Sequence, residues 1–376
     1  MRSIEELVSL EGMRVFLRAD LNVPIEHGVV KDRSRIDADL DSIGFLLARG
    51  ARVVIGSHLS DAMGSLAPVF ASLRQKIPVS FVDDVAGFAA HTAANALKDG
   101  QALLLQNLRR NKGEMANDWR FAKELASLAD IYVNDAFPAS HRMHASIVSL
   151  PEFLPSYAGF RFLAEVKGLT PALSPESPSM AILGGAKLVT KIALLKALLS
   201  KYDRIFVGGA LASDFFAAKG YETGRSLVSG TKDAEGLASD SKIILPQRVV
   251  VENAAGRDEK TDADIGKTDS ILDIAPSSIE SLRPLVEGAR SILWNGPMGN
   301  FERGFIDGTD ALARLIAGAP GRTIVGGGDT LEMINRLNLR DRFTFVSTAG
   351  GAMLDFLAHG TLPGIQALEQ GSGASV

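Results

Sequence analysis

The chain has 376 residues, 46% hydrophobic and 22% charged, with a formal net charge of −4; that length suits about two domains, each with its own core. A weakly acidic chain lacks the basic surface of a general nucleic-acid binder but leaves room for local cations around a small anion, and zero cysteines exclude disulfides and thiolate metal sites. The opening MRSIEELVSL has no basic flank or apolar core of a signal peptide, and no apolar run approaches the roughly 18 residues of a spanning helix, so a cytoplasmic protein with no membrane partner is expected.

In the first half, short β-branched apolar runs predict strands at 15–17, 53–56, 79–82, 102–105 and 131–133. Ile36 to Arg49 has helical period, with Ile43, Leu46 and Leu47 on one face. The proline-rich stretch Thr170 to Pro178 reads as a surface connection near mid-chain. Strands then recur at 181–183, 204–207, 242–245, 291–294, 323–325 and 344–346, while polar Glu252 to Ser270 reads as a loop or short insertion. Strand and helix alternating this regularly predicts an α/β protein of two doubly wound parallel-sheet (Rossmann-like) domains.

In open parallel sheets, ligands bind beyond the carboxyl ends of the strands. In the first half those positions hold Arg18, Asp20 and Asn22, then His58, then Asn107, Arg109 and Arg110, then Asn134 and Asp135. Arg35, His141, Arg142 and His144 follow in nearby loops. Singly, each is also what a strand needs where it emerges into water; together they suit an acid or a phosphate ester. The second half carries glycines instead: Gly184-Gly185, Gly208-Gly209, Gly326-Gly327-Gly328 and Gly350-Gly351. Glycine between strand and helix lets backbone N–H groups approach an anion, and the helix N-terminus adds about half a positive charge. Lys187 and Lys191, four apart, are expected on one helix face, and Asp329 is placed to ligate Mg²⁺ carried by phosphates. A cleft between the domains would set the acid opposite a nucleotide phosphate. No segment supplies the dinucleotide fingerprint G-x-G-x-x-G, and Gly266-Lys267-Thr268 lacks the glycine and the preceding strand of a P-loop, so it reads as surface.

Ten segments, in order, carry a family resemblance. They are Arg18-Ala19-Asp20-Leu21-Asn22-Val23-Pro24, Asp32 to Ile36, Ser57-His58-Leu59, Gln106-Asn107-Leu108-Arg109 and Asn134-Asp135-Ala136-Phe137. His141 to Ser146, Gly184 to Lys187, Trp294 to Gly299, Gly326 to Thr330 and Ser347 to Ala352 complete them. Through these the chain resembles phosphoglycerate kinase over nearly its whole length. The resemblance implies an N-terminal domain, residues 1–157 completed by 361–376, that binds 3-phosphoglycerate. It implies a joining helix at 158–170, starting at about Tyr157, and a domain at 171–360 that binds ATP or ADP with Mg²⁺. A hinge-bending closure and a monomeric state belong to the same expectation. Position by position, Asp20, Asn22, Arg35, His58, Arg109 and Arg142 would contact the acid. Gly185, Lys187, Lys191, Gly208, Asn295, Pro297, Glu302, Gly327, Gly328, Asp329 and Thr330 would serve the nucleotide and its metal. Arg35 and Lys191, with the helix N-terminus after Gly350-Gly351, would stabilise the transferring group.

The chain departs from the family pattern mainly on the acid side. Ser60-Asp61 stand where Gly-Arg is expected, and the loop before Ser65 is short, with Ala67 where a lysine is usual. Gln106 replaces Glu, and Pro138-Ala139 replace Gly-Thr. On the nucleotide side Thr190 replaces an aspartate, Ala210 a third glycine and Arg248 an aspartate. Three readings follow: a divergent phosphoglycerate kinase, a paralogous ATP:carboxylate kinase for another acid, or a non-catalytic nucleotide-binding regulatory protein. Arg35, Lys187, Lys191 and Asp329 are present, which counts against the third.

Overall fold

A computed structural model describes residues 1–371. Two compact units result, one of Met1–Val166 with the segment from Thr361, the other of Lys167–Gly360. The first contains β1 (Arg14–Arg18), the hairpin β2 (Ile25–Glu26) and β3 (Val29–Val30), β4 (Arg52–Gly56), β5 (Val79–Phe81), β6 (Ala102–Leu104), β7 (Ile131–Asn134) and β8 (Ser156–Ala158). Six of these form one parallel sheet in the order β5-β6-β4-β1-β7-β8. Helices cover both faces of such a sheet, which is why Val15, Phe16 and Leu17 of β1 are all fully buried without alternation. The helix Ser34–Ala48 buries Ile36, Ile43 and Leu46 in this core; Leu47, expected on the same face, is only partly covered. The winding reverses at β1, with β4 on one side and β7 on the other, so a crevice opens beyond their carboxyl ends. Register sets Arg18 level with Gly56 and Asn134 there.

The second unit contains β9 (Ser179–Leu183), β10 (Arg204–Val207), β11 (Ile243–Ile244), β12 (Arg248–Asn253), β13 (Gly256–Thr261), β14 (Ser270–Ile274), β15 (Ser291–Asn295), β16 (Arg322–Gly326) and β17 (Phe345–Ser347). Its parallel sheet runs β11-β10-β9-β15-β16-β17, with the reversal between β9 and β15. Leu183, Val207, Asn295, Gly326 and Ser347 end level, so the glycine clusters after them share one edge.

Two sequence expectations are corrected. Of the two readings of Glu252 to Ser270, the short insertion holds and the loop does not: β12 and β13 form an antiparallel hairpin, completed by β14 into a three-stranded sheet. Val249, Val251 and Ile271 feed the core, but β13 is mostly exposed and so shows no apolar alternation. The joining helix begins at Phe160, not near Tyr157, because Ser156–Ala158 pairs with β7 as an edge strand. At the C-terminus, the helix Pro363–Gln370 buries Leu368 in the first unit, and Gly364 N donates to Ser140 O at 2.9 Å. The remainder of the expected segment 361–376, after Gly371, lies outside the described residues. Among the described residues no helix is long and apolar enough to cross a membrane.

Leu104, fully buried at the end of β6, tests the first core. Leu104→Ala is expected to cost about 2–5 kcal/mol in urea unfolding followed by circular dichroism.

Candidate active site

The first unit gathers cations where its winding reverses. Arg18 is fully buried and donates to Ser146 Oγ (2.7 Å), Ala19 O (2.7 Å) and His58 Nδ1 (3.2 Å). Arginine offers no acceptor, so His58 Nδ1 is unprotonated and its proton sits on Nε2. Burial first, then the charges of Arg18, Arg109 and Arg142, hold His58 well below the usual imidazole range. The same causes hold His144 at about 4. Its approach of 3.8 Å to Glu114 is therefore not an ion pair at neutral pH. Buried Glu114 accepts from Ser146 N (3.0 Å) and Ser146 Oγ (2.6 Å) and lies 3.8 Å from Arg18. Arg18 and Arg109 thus share the field of this buried carboxylate, and the charge of Arg142 adds to theirs.

Arg109 is the most informative of the three. Its Nη1 donates to Leu59 O at 3.2 Å, while its Nε and Nη2 are buried with no hydrogen-bond partner in the described structure. Burial, then Arg142 and Arg18, push its pKa down. Buried donors are nearly always satisfied. A surplus of positive charge around two that are not describes a seat for an anion. Arg142 is exposed at the rim.

Beside this basin, buried Asp20 accepts from Arg35 Nη1 at 2.7 Å through Oδ2, and its Oδ1 has no partner. Arg35 keeps 35% of its side-chain surface exposed. Asn22 is clasped by the loop that departs from the family pattern: Oδ1 accepts from Ser60 N (2.8 Å) and Nδ2 donates to Ser60 Oγ (3.0 Å). Asp61 is exposed, and its Oδ1 accepts from Met63 N at 2.9 Å, so the carboxylate closes its own turn. Asn22, Arg35, Ser60 and Asp61 line a cavity of about 660 Å³. Other strand-end residues serve the fold instead. Asn107 holds the short loop by donating to the carbonyls of Asp61, Ala62 and Gly64. Arg110 pairs with Asp83 at 3.0 Å, and Asp135 accepts from Phe162 N at 3.0 Å.

In the second unit Lys191 lies at the reversal of winding. Its Nζ donates to Gly184 O (2.6 Å) and Asn295 Oδ1 (2.8 Å), tying the loops after β9 and β15 together. Burial lowers its pKa to about 8, against an upward pull from Asp329. The expectation that Lys187 and Lys191 share a helix face is corrected: Leu188–Lys191 is a 3₁₀ helix, with about three residues per turn. Lys191 is consequently buried while Lys187 is exposed. Thr190 is also exposed and donates to Lys187 O at 2.9 Å.

The glycines divide into two kinds. A Cβ on Gly184 would stand 2.2 Å from Pro297 O, so that glycine is demanded by packing, as is Gly208 against Met298. Gly350, with φ +56°, and Gly351 open the helix Gly351–His359, and Gly350 faces empty space. Gly327 and Gly328 open the helix Gly328–Arg336, where Gly328 likewise faces empty space. Asn295 Nδ2 donates to Gly326 O (2.9 Å) and Thr330 Oγ1 accepts from Gly296 N (3.0 Å), so both brace the seat from below. A cavity of about 420 Å³ adjoins it, lined by Gly185, Leu227, Leu272, Pro297, Glu302 and Asp329. Arg248 lies on β12, bonded to Glu259, and does not line this cavity.

A family model described as phosphoglycerate kinase matches residues 4–360. A phosphoglycerate kinase from Moorella thermoacetica is 41% identical over 96% of this chain and 98% of its own length. The corresponding protein of Thermus thermophilus is 42% identical over 96% and 97%. The chain belongs to the phosphoglycerate kinase family. Among solved structures, the phosphoglycerate kinase of Coxiella burnetii superposes with a TM-score of 0.85 at 37% identity, covering 97% of each chain. That of Pyrococcus horikoshii gives 0.88 at 31% identity over 99% of each. As a member of this family the chain is a kinase, a phosphotransferase acting on a carboxylate.

Sequence reading omitted three residues of this kinase's basic pocket from its ligand-contacting set. Arg18 and His144 were visible as a strand-end arginine and a loop histidine, whereas Glu114 gave no signal, since only the fold brings it under Arg18. The His58 arrangement is directly measurable. Nitrogen-15 spectra should show the Nε2–H tautomer at pH 7, and no protonation of that ring as pH falls through the ordinary imidazole range.

Proposed function

We propose that this chain reversibly transfers a phosphoryl group between ATP and the carboxylate of 3-phosphoglycerate (1,3-bisphosphoglycerate + ADP = 3-phosphoglycerate + ATP), as a cytoplasmic monomer. The observation that carries the acid is Arg109, whose two buried donors lack an acceptor inside a net positive basin. Arg109, Arg142 and the Nε2–H of His58 would take the phosphate of the acid. The free Oδ1 of Asp20 would accept from its hydroxyl, with Asn22 alongside. ADP or ATP would lie in the cavity walled by Leu227, Leu272 and Pro297, with Glu302 at the sugar and Lys187 and the Gly327-Gly328 turn at the phosphates.

Among the described residues no group of three His, Asp or Glu is spaced to hold a metal alone. Mg²⁺ would therefore arrive on the phosphates, with Asp329 as its protein oxygen, and would neutralise charge on them. A carboxylate of pKa near 4 is already ionised at pH 7, so no general base is required. What remains is alignment and charge. Arg35 on the acid side, and Lys191 with the helix N-terminus at Gly350-Gly351 on the nucleotide side, would stabilise the charge of the transferring oxygens.

The short loop gives weight to a second reading, a paralogous kinase for a different acid, because Asp61 replaces a cation that would grip phosphate. Against it, the Asp61 carboxylate is engaged by Met63 N. A coupled assay separates them. Arg109→Ala should raise KM for 3-phosphoglycerate roughly 10- to 150-fold, the loss of charge-assisted bonds of about 1.5–3 kcal/mol. Asp61→Asn should leave KM within about threefold. A tenfold fall on Asp61→Asn, or poor turnover of 3-phosphoglycerate beside good turnover of another acid, would favour the paralogue.

Lys191 predicts a pH dependence. Its pKa is depressed to about 8, so the charged form holds below that value and is lost as pH rises through it. ADP affinity measured calorimetrically from pH 6.5 to 9.5 should fall across about pH 8. In Lys191→Arg, which cannot deprotonate in this range, that step should vanish.

A further inference from the structure

We propose that Arg161 is a positioning residue for the acid side, fastening the start of the helix Phe160–Leu169 to Asp20 and to the helix that carries Arg35. The inference rests on the acid-binding role given above to Asp20 and Arg35.

Arg161 is 8% exposed. Its Nη1 lies 3.1 Å from Asp39 Oδ1, 3.4 Å from Asp20 O and 3.5 Å from Arg35 O, and its Nη2 lies 3.5 Å from Asp20 Oδ2. One guanidinium therefore touches both residues of the proposed acid-gripping pair. The helix Ser34–Ala48 is built to receive it. Arg35, Asp39 and Ser42 fall at i, i+4 and i+7, along one face. Ser42 Oγ accepts from Phe160 N at 3.0 Å, and Asp39 Oδ2 accepts from Asp20 N at 2.9 Å. Asp135 accepts from Phe162 N at 3.0 Å, satisfying another open N–H of the same helix start.

Charge explains why a cation is needed there. Asp20, Asp39 and Asp135 are all fully buried. Burial pushes Asp39 up to about 8 even with Arg161 opposing it, and raises Asp135 as well. Arg161 stands among all three, while Arg35 touches only Asp20. Without Arg161, Asp20 would be left to Arg35 alone. A tighter Asp20–Arg35 pair would withdraw from the substrate both the carboxylate oxygen and the cation it needs. Because every partner of this cluster belongs to the first unit, nucleotide binding in the second should not register the loss.

The test uses the full chain with Arg161→Met and Arg161→Lys. Arg161→Met should lower kcat/KM for 3-phosphoglycerate at least tenfold, leave the ADP dissociation constant within twofold, and be partly rescued by Arg161→Lys. Removing one partner of a buried pair can prevent folding. Asp39→Leu combined with Arg161→Met removes both members of the pair and should show the same selective defect. An unchanged kcat/KM in a folded variant, or an equal loss of ADP binding, overturns the proposal. If the parent chain fails to phosphorylate 3-phosphoglycerate, the proposed function falls by itself. The positioning role is then read from the crystal structure of the double variant: a displaced Arg35 guanidinium supports it, and an unmoved one overturns it.

Discussion

A doubly wound parallel sheet must reverse its winding somewhere, and at that point two neighbouring loops part and leave strand-end polar groups facing a crevice. This chain places a buried cation at each reversal. Arg18 closes β1 in the first sheet, and Lys191 bridges the ends of β9 and β15 in the second. Each spends its donors on carbonyls and side chains of the diverging loops, so each braces a binding surface while adding positive charge beneath it. Burial makes that charge costly, and the cost is visible in the lowered pKa of Lys191 and in the neutral state imposed on His58. Both crevices are thereby preset to favour anions.

The two surfaces use that charge differently. The first works through side chains: a guanidinium with unanswered donors, a neutral imidazole held in one tautomer, and a carboxylate with a free oxygen. Such groups discriminate by geometry and suit an acid of fixed shape. The second works through backbone, with open space over Gly328 and Gly350 at two helix N-termini, and suits phosphates common to many nucleotides. Under the proposed function, specificity for the base and sugar would fall to the adjoining cavity walls.

Asp61 shows how a departure from a family pattern is absorbed. Read along the chain, a carboxylate in place of an expected arginine implies repulsion of a phosphate. In the fold its oxygen caps a turn at Met63, and Asn107 holds the shortened loop by three carbonyls. The basin keeps its surplus of positive charge from Arg18, Arg109 and Arg142.

The sequence alone determined the alternation of strand and helix, both parallel sheets, and the positions of the glycine clusters, because these follow from local period and from turns that need glycine. It also supplied the motifs that mark the family. Tertiary structure alone decided which strand-end polar residues keep unanswered groups in the crevice and which turn to the fold. Arg110, Asn134 and Asp135 stand at the same kind of strand end as Arg18 yet turn to structural partners. The exposed strand β13 and the edge strand β8 escaped notice for a related reason, since neither carries an apolar run of its own. Burial, hydrogen-bond partners and charge neighbours depend on residues more than a hundred positions apart, such as Asp20 and Arg161, and only folding brings those together.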